Sequence, residues 1–177
     1  MATQIALLRG INLGNRRVQM AALRELLAAS GYGEARTLLQ SGNVVLESGL
    51  QPAALERALE KDLAAGLGFE VDVVVRTRDE LAGVLERNPL RAVATDPARY
   101  LVTFLRSQPA DDVVRHLDSL ELEPERVSVN GREIYSWHPG GLARSELGKQ
   151  LSERKLGVSG TGRNWATVDK LLALADT

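Results

Sequence analysis

The hydrophobic pattern of this chain runs through one order of elements and then starts it again, which leaves very few folds open. Thr3-Gln4-Ile5-Ala6-Leu7-Leu8-Arg9 reads as an apolar strand that stops at Gly10. Met20, Leu23, Leu26 and Leu27 recur at helical spacing over about 18–30, and Gly31 ends that helix. Strands are predicted at 35–40 and 43–47, with the turn former Ser41-Gly42 between them. Pro52 suits the first turn of a second helix, whose face is Leu55, Leu59 and Leu63 and which Gly66 and Gly68 close. Val71 to Val75 form a β-branched strand. This β-α-β-β-α-β order is the split βαβ, or ferredoxin-like, arrangement, an antiparallel sheet with two helices on one face.

A connecting helix over 78–87 ends at Asn88-Pro89, because the residue before proline is driven out of the helical region. Pro89 and Asp96-Pro97 mark 88–97 as a linker. The pattern then restarts with a strand at 99–105, a helix at 110–120, and strands at 126–129 and 133–137 joined by Asn130-Gly131. Helices are predicted at 144–156 and 164–175. The second half thus reads β-α-β-β-α-α, its last strand replaced by a helix or hidden in 156–160. The expectation is an α+β protein with two ferredoxin-like halves. The first is 1–87 with the connecting helix, the linker is 88–97, and the second is 98–177 with extra C-terminal helices.

Composition narrows the chemistry. Hydrophobic residues make up 44% of the 177, enough to bury a core. The chain has no cysteine, which excludes disulfides, thiolate metal sites and thiol catalysis, and two histidines cannot supply a three-histidine metal site. No metal or cofactor is expected. With 22 basic and 23 acidic residues, the net charge of −1 argues against broad, sequence-blind coating of nucleic acid. The first apolar run is too short for a signal or membrane helix, and no segment approaches spanning length. A cytoplasmic location with no membrane partner is the expectation.

Four segments break the packing pattern with polar, glycine-flanked residues: Leu8-Arg9-Gly10-Ile11-Asn12-Leu13-Gly14, Leu39-Gln40-Ser41-Gly42-Asn43-Val44, Asn88-Pro89-Leu90, and Thr161-Gly162-Arg163-Asn164-Trp165-Ala166-Thr167-Val168-Asp169-Lys170-Leu171. As a set they resemble the bacterial family known as domain of unknown function 1697, with its R-G-I-N-x-G, Q-S-G-N-V and T-x-R-N-W-x-T-V-x-K-L motifs in this order. The resemblance spans nearly the whole chain. It implies an α+β fold with ferredoxin-like halves and brings no established activity. Family members often carry a glycine pair and a lysine after the first motif; here the stretch is Gly14-Asn15-Arg16-Arg17, so that lysine's role falls to an arginine.

The first motif runs from a strand through a glycine turn into a helix, where backbone N–H groups favour anions, and Arg9, Arg16 and Arg17 add three cations. It matches neither a dinucleotide fingerprint nor a phosphate-binding P-loop. Read alone it is a capped turn with solvated arginines. Gln40, Ser41 and Asn43 offer amides and a hydroxyl that read hydrogen-bonding edges, or else satisfy their own hairpin. In the last motif Thr161 is placed to cap the final helix, with Arg163 and Asn164 near its start, Trp165 toward the core and Lys170 on another face. One charge-assisted hydrogen bond nets about 1.5–3 kcal/mol, and micromolar affinity needs about 8 kcal/mol, so segments must converge.

The resulting expectation is an anionic small-molecule or nucleotide-type ligand bound by Arg9, Asn12, Arg17, Gln40, Ser41, Asn43, Arg163, Asn164 and Lys170. The first two motifs would meet at one end of the first sheet, with the last helix docked there. Two alternatives stay open: a nucleic-acid-binding module, disfavoured by 4% aromatic content, and a structural or interaction protein whose motifs lock the halves together. His116 reads as solvated, His138 as a turn residue, and Asp118, Glu121, Glu123 and Glu125 as an acidic rim. No nucleophile–base–orienter set is visible in the sequence.

Overall fold

The computed structural model describes residues 1–177. It divides into two compact units, Met1–Gly83 with Lys170–Thr177, and Val84–Asp169. The division falls within the helices α3 (Arg78–Arg87) and α7 (Trp165–Ala175).

The first unit contains β1 (Ala2–Leu8), α1 (Met20–Ala29), β2 (Arg36–Leu38), β3 (Asn43–Ser48), α2 (Pro52–Leu67) and β4 (Val73–Thr77). The sheet order is β2-β3-β1-β4, antiparallel throughout. Register runs from Ala2 opposite Ser48 to Leu7 opposite Asn43, and from Gln4 opposite Thr77 to Leu8 opposite Val73. Side chains alternate across the sheet, so Ala6, Leu8, Val44, Leu46, Val73 and Val75 share one face. They form one core with Leu23 and Leu27 of α1 and Leu55, Leu59 and Leu63 of α2. The other face is buried too, at Ile5, Leu7, Val45 and Val74, and includes Arg76. Two buried faces account for the unbroken apolar runs read in β1 and β4. Gly66 does not end α2 as expected. It lies inside the helix, where a Cβ would come within 2.1 Å of Leu26 Cδ1, and the other expected stop, left-handed Gly68 at φ 81°, is the one that ends α2.

The second unit contains β5 (Tyr100–Leu105), α4 (Asp111–Asp118), β6 (Arg126–Asn130), β7 (Glu133–Trp137), a 3-10 turn (Leu142–Arg144), α5 (Glu146–Lys149), α6 (Glu153–Leu156) and β8 (Gly160–Asn164). Its sheet order is β6-β7-β5-β8, again antiparallel. Each unit therefore has the split βαβ order in a four-stranded antiparallel sheet with packed helices, and α7 follows. Leu105, Leu117, Ile134 and Leu156 form the core on the helical side.

Two expectations for this half need correction. The predicted helix over 144–156 is three short pieces, because Ser145 and Ser152 each cap a fresh start: their side chains accept from the N–H of Gly148 and Lys155. The last strand is neither replaced nor confined to 156–160. It is β8, formed by the start of the fourth motif. Glycine is required where it begins, since a Cβ on Gly160 would come within 2.6 Å of the Phe104 carbonyl. No helix is long and apolar enough to cross a membrane.

Candidate functional site

At one end of the first sheet the chain leaves β1 through a loop whose backbone is fixed residue by residue. Leu8 N–H donates to Gly42 O at 2.8 Å, and Arg9 N–H to Asp72 O at 2.9 Å. Gly10, Asn12 and Gly14 are all left-handed, at φ 74°, 56° and 59°. Asparagine tolerates that region because its short side chain bonds locally. Asn12 Nδ2 donates to Gln40 O at 2.5 Å, and its Oδ1 accepts from Val18 N–H at 2.8 Å. One side chain thus ties loop 9–17 to the β2–β3 turn and to the approach to α1. Within that turn the buried Asn43 donates to Leu38 O at 2.8 Å and to Ser41 Oγ at 2.9 Å. Gly42, at φ 85°, permits the close approach: a Cβ there would sit 2.7 Å from Leu8 Cβ and 2.8 Å from Ile11 Cδ1. The first two motifs meet here.

The charges of this loop pair face outward. Arg16, Arg17, Gln40 and Ser41 are exposed. Arg17 Nε donates to Gly14 O at 3.1 Å; Arg16 reaches Glu70 O at 3.4 Å, its guanidinium 5.3 Å from the Phe69 ring centroid. Arg9 is half-buried, 3.8 Å from the Asp72 carboxylate. Two guanidinium groups therefore rest on neutral carbonyls, which orient them without neutralising them, and the third has a loose carboxylate partner. On the same joined loops Leu13 and Leu39 are 68% and 52% exposed, Leu39 at φ 60°. A left-handed leucine costs about 1–2 kcal/mol, and this one recovers little by burial.

The remaining candidates are placed differently. Arg163 lies in β8, buried, donating to Thr161 Oγ1 at 2.8 Å and to Gly162 O at 2.9 Å; burial pushes its pKa down to about 10. Thr161 is in the strand, so it does not cap the final helix. Asn164 does, its Oδ1 accepting from Thr167 N–H at 2.9 Å. Trp165 stacks on Tyr100, with centroids 4.6 Å apart. Lys170 is exposed. The expectation is that the last helix docks at the loop end of the first sheet. Its contacts within the first unit are Arg36, which donates to Leu174 O at 2.7 Å in a mid-sheet row, and Arg78, which pairs with Asp176 at 2.7 Å beyond the opposite end of β4. The Asn88-Pro89-Leu90 motif is a brace: Tyr100 Oη donates to Asn88 Oδ1 at 3.0 Å and accepts from Leu90 N–H at 3.4 Å.

The second unit also holds a polar network that the sequence pattern does not announce. His138 is fully buried. Its Nδ1 lies 2.7 Å from Ser145 Oγ and 3.2 Å from Glu125 Oε2, and its Nε2 lies 2.7 Å from Ser136 Oγ. Ser145 donates to Glu125 Oε2, and Leu147 N–H donates to Glu125 Oε1 at 3.0 Å. Burial pushes Glu125 up, but the bonds from Ser145, Leu147 and His138 outweigh it and hold the carboxyl below its ordinary range. For His138 burial wins over Glu125 and favours the neutral ring. A usable signal existed: Ile134, Ser136 and His138 continue the alternation of β7 onto its helical side. The set has the residue types of an acyl-transfer triad, yet Ser136 and His138 are sealed, so it fastens structure. Glu125 borders a cavity of about 610 Å³ walled by Leu117, Leu120 and Leu147. No group of three or more His, Cys, Asp or Glu is placed to hold a metal ion.

Comparison with known proteins agrees with this architecture. A family model described as a protein of unknown function, DUF1697, matches residues 1–135. In structure the chain is similar to the conserved bacterial protein SP0830 from Streptococcus pneumoniae, with a TM-score of 0.76 and 26% identity over 100% of this chain and 99% of that one. No curated protein gives a significant match.

Proposed function

The chain belongs to the DUF1697 family, whose description assigns no activity, and from its first unit we propose that it binds a small anionic ligand of phosphate or nucleotide type at the joined loops 9–17 and 39–43. The observation that carries this reading is the pair of hydrogen bonds by which Asn12 donates to Gln40 O and accepts from Val18 N–H, fixing both loops while Arg16 and Arg17 stay in solvent and Arg9 is half-buried. A rigid cationic loop loses little entropy on binding.

Roles divide by what each side chain already does. Asn12 and Asn43 are scaffold. Arg9, Arg16 and Arg17 supply charge, and Gln40 and Ser41 supply neutral hydrogen bonds to the rest of the ligand. Three charge-assisted contacts at about 1.5–3 kcal/mol each reach the roughly 8 kcal/mol of micromolar binding only if all three engage. Arg163 and Asn164 are occupied by β8 and by the cap of α7, so they and Lys170 are left out of the proposed site. The nucleic-acid alternative gains no support from the sheets, since Tyr100, Phe104, Tyr135 and Trp137 are buried rather than presented for base stacking.

Thermal-shift and calorimetric screening of phosphate, pyrophosphate and nucleotides at low salt tests the proposal. Arg9→Ala and Arg17→Ala should each weaken the best ligand about tenfold. Hits indifferent to both substitutions overturn the site. Binding only to an oligonucleotide, with steep salt dependence, replaces it with the nucleic-acid reading.

A further inference from the structure

We infer that this end of the first unit docks on an anionic lipid surface, Leu13 and Leu39 entering as apolar tips while Arg16 and Arg17 meet the headgroup phosphates. The inference rests on the anion-binding reading and names its partner. Leu13 and Leu39 lie on loops joined through Asn12 and Gln40, each leucine next in sequence to one of those residues. Leu13 caps a tight turn, closed by Arg16 N–H donating to Leu13 O at 3.1 Å. Leu39 is the sharper case. Its left-handed backbone would suit asparagine or glycine, and its side chain is 52% exposed, so neither local conformation nor core burial accounts for a leucine there. An apolar residue kept in a strained and exposed position points to a use outside the fold.

Charge selects the partner. Loops 9–17 and 39–43 contain three arginines and no Asp or Glu. Asp72 is paired with Arg9, and the exposed Glu70, whose backbone oxygen receives Arg16, offsets part of the remaining charge. Arg16 and Arg17 share the loop of Leu13, to which the loop of Leu39 is tied, and apolar tips with guanidinium groups near them suit a surface where the tips pass below the headgroups and the charges stay among them. A protein partner would need cavities shaped to two projecting side chains; a fluid bilayer does not. The absence of a spanning segment, from which no membrane partner was expected, does not bear on surface contact of this kind.

Co-sedimentation of the full chain with vesicles tests the inference. One set holds equal parts phosphatidylglycerol and phosphatidylcholine, and the other holds phosphatidylcholine alone. Melting temperatures are recorded with and without inorganic pyrophosphate. The expected result is sedimentation with the anionic vesicles alone, reversed by salt. Arg17→Gln should weaken it about fivefold, and Leu13→Ser or Leu39→Asn about tenfold each. Leu39→Asn relieves the left-handed leucine, so its melting temperature should hold or rise while vesicle binding falls, which separates docking from stability. Failure to sediment with either vesicle overturns the inference. If pyrophosphate then still raises the melting temperature, the anion site stands without a membrane; if it does not, both readings fall. Binding to an RNA oligonucleotide that ignores Leu13→Ser and Leu39→Asn, with no vesicle binding, also overturns it.

Discussion

The two sheets have the same strand order and differ in how the second crossover is fastened. In the first unit that crossover is α2, sixteen residues that bury Leu55, Leu59 and Leu63. In the second, the stretch from β7 to β8 breaks into a 3-10 turn and two four-residue helices, and buries Leu147 and Leu156. There Glu125 supplies the attachment, gathering Ser145, His138 and the N–H of Leu147 around one carboxylate. Both crossovers use carboxylates, since Glu56 and Glu60 of α2 accept from Val75 and Val73 N–H at 3.0 and 3.1 Å, but the first adds a continuous leucine face, whereas the second leans on the partly buried Glu125. The loops and crossovers differ in polarity as well: loop 9–17 of the first unit presents Arg16 and Arg17 to solvent, and the second unit seals His138 inside. The proposed anion site belongs to the first unit, and the histidine–carboxylate network to the second.

Substitutions should separate these modes. The largest effect is expected from Leu59→Ala, which empties a fully buried site in α2 and should cost about 3–4 kcal/mol in urea unfolding, nearly the same at neutral and mildly acid pH. Next is Glu125→Ala, which strips the partner from three donors and should cost about 2–3 kcal/mol at neutral pH. A cost below that of an ordinary surface substitution would show that the network is not what secures α5. Asn12→Ala should cost about 1–2 kcal/mol and also abolish the anion response, since the loops lose their tie. If the response survives, rigidity of the loop pair is not what makes the site.

The shallowest effect is the dependence on pH. His138 is held below its ordinary 6.5, so the folded state favours the neutral ring. The stability this gives is complete above 6.5 and is lost as pH falls from there toward the lowered folded value. Glu125, held below its ordinary 4.5, adds a second loss beneath that value. Denaturant midpoints recorded across this range should fall with acid in the wild type, and the limb just below 6.5 should flatten in His138→Gln. An unchanged limb in that variant would assign the acid sensitivity to other groups.

The elements visible in the sequence are those whose side chains repeat a period. β1 and α2 carry an apolar run and leucines at intervals of four, and are legible nearly to the residue; β4 is visible as a β-branched run but lies two residues beyond the expected Val71–Val75. β8 is not legible, because Gly160-Thr161-Gly162-Arg163-Asn164 has no apolar alternation; it is a strand by pairing with β5 and by having no Cβ at Gly160. The short helices α5 and α6 read as one in the sequence because their separate starts depend on the caps Ser145 and Ser152, which periodicity does not register. The meeting of the first two motifs was legible from strand order alone. The use made of each asparagine was not: Asn12, Asn43 and Asn164 all looked ligand-facing, and all three bond to their own backbone surroundings. His138 looked like a turn residue because Pro139-Gly140-Gly141 follows it, although the β7 alternation carries it inward.

The most direct test of the anion site is an amide chemical-shift titration of the full chain with inorganic pyrophosphate. The expected result is saturable perturbation confined to residues 9–17 and 39–43, with residues 136–148 of the histidine network unmoved. Perturbation centred on the second unit, or none at either loop, would contradict the account.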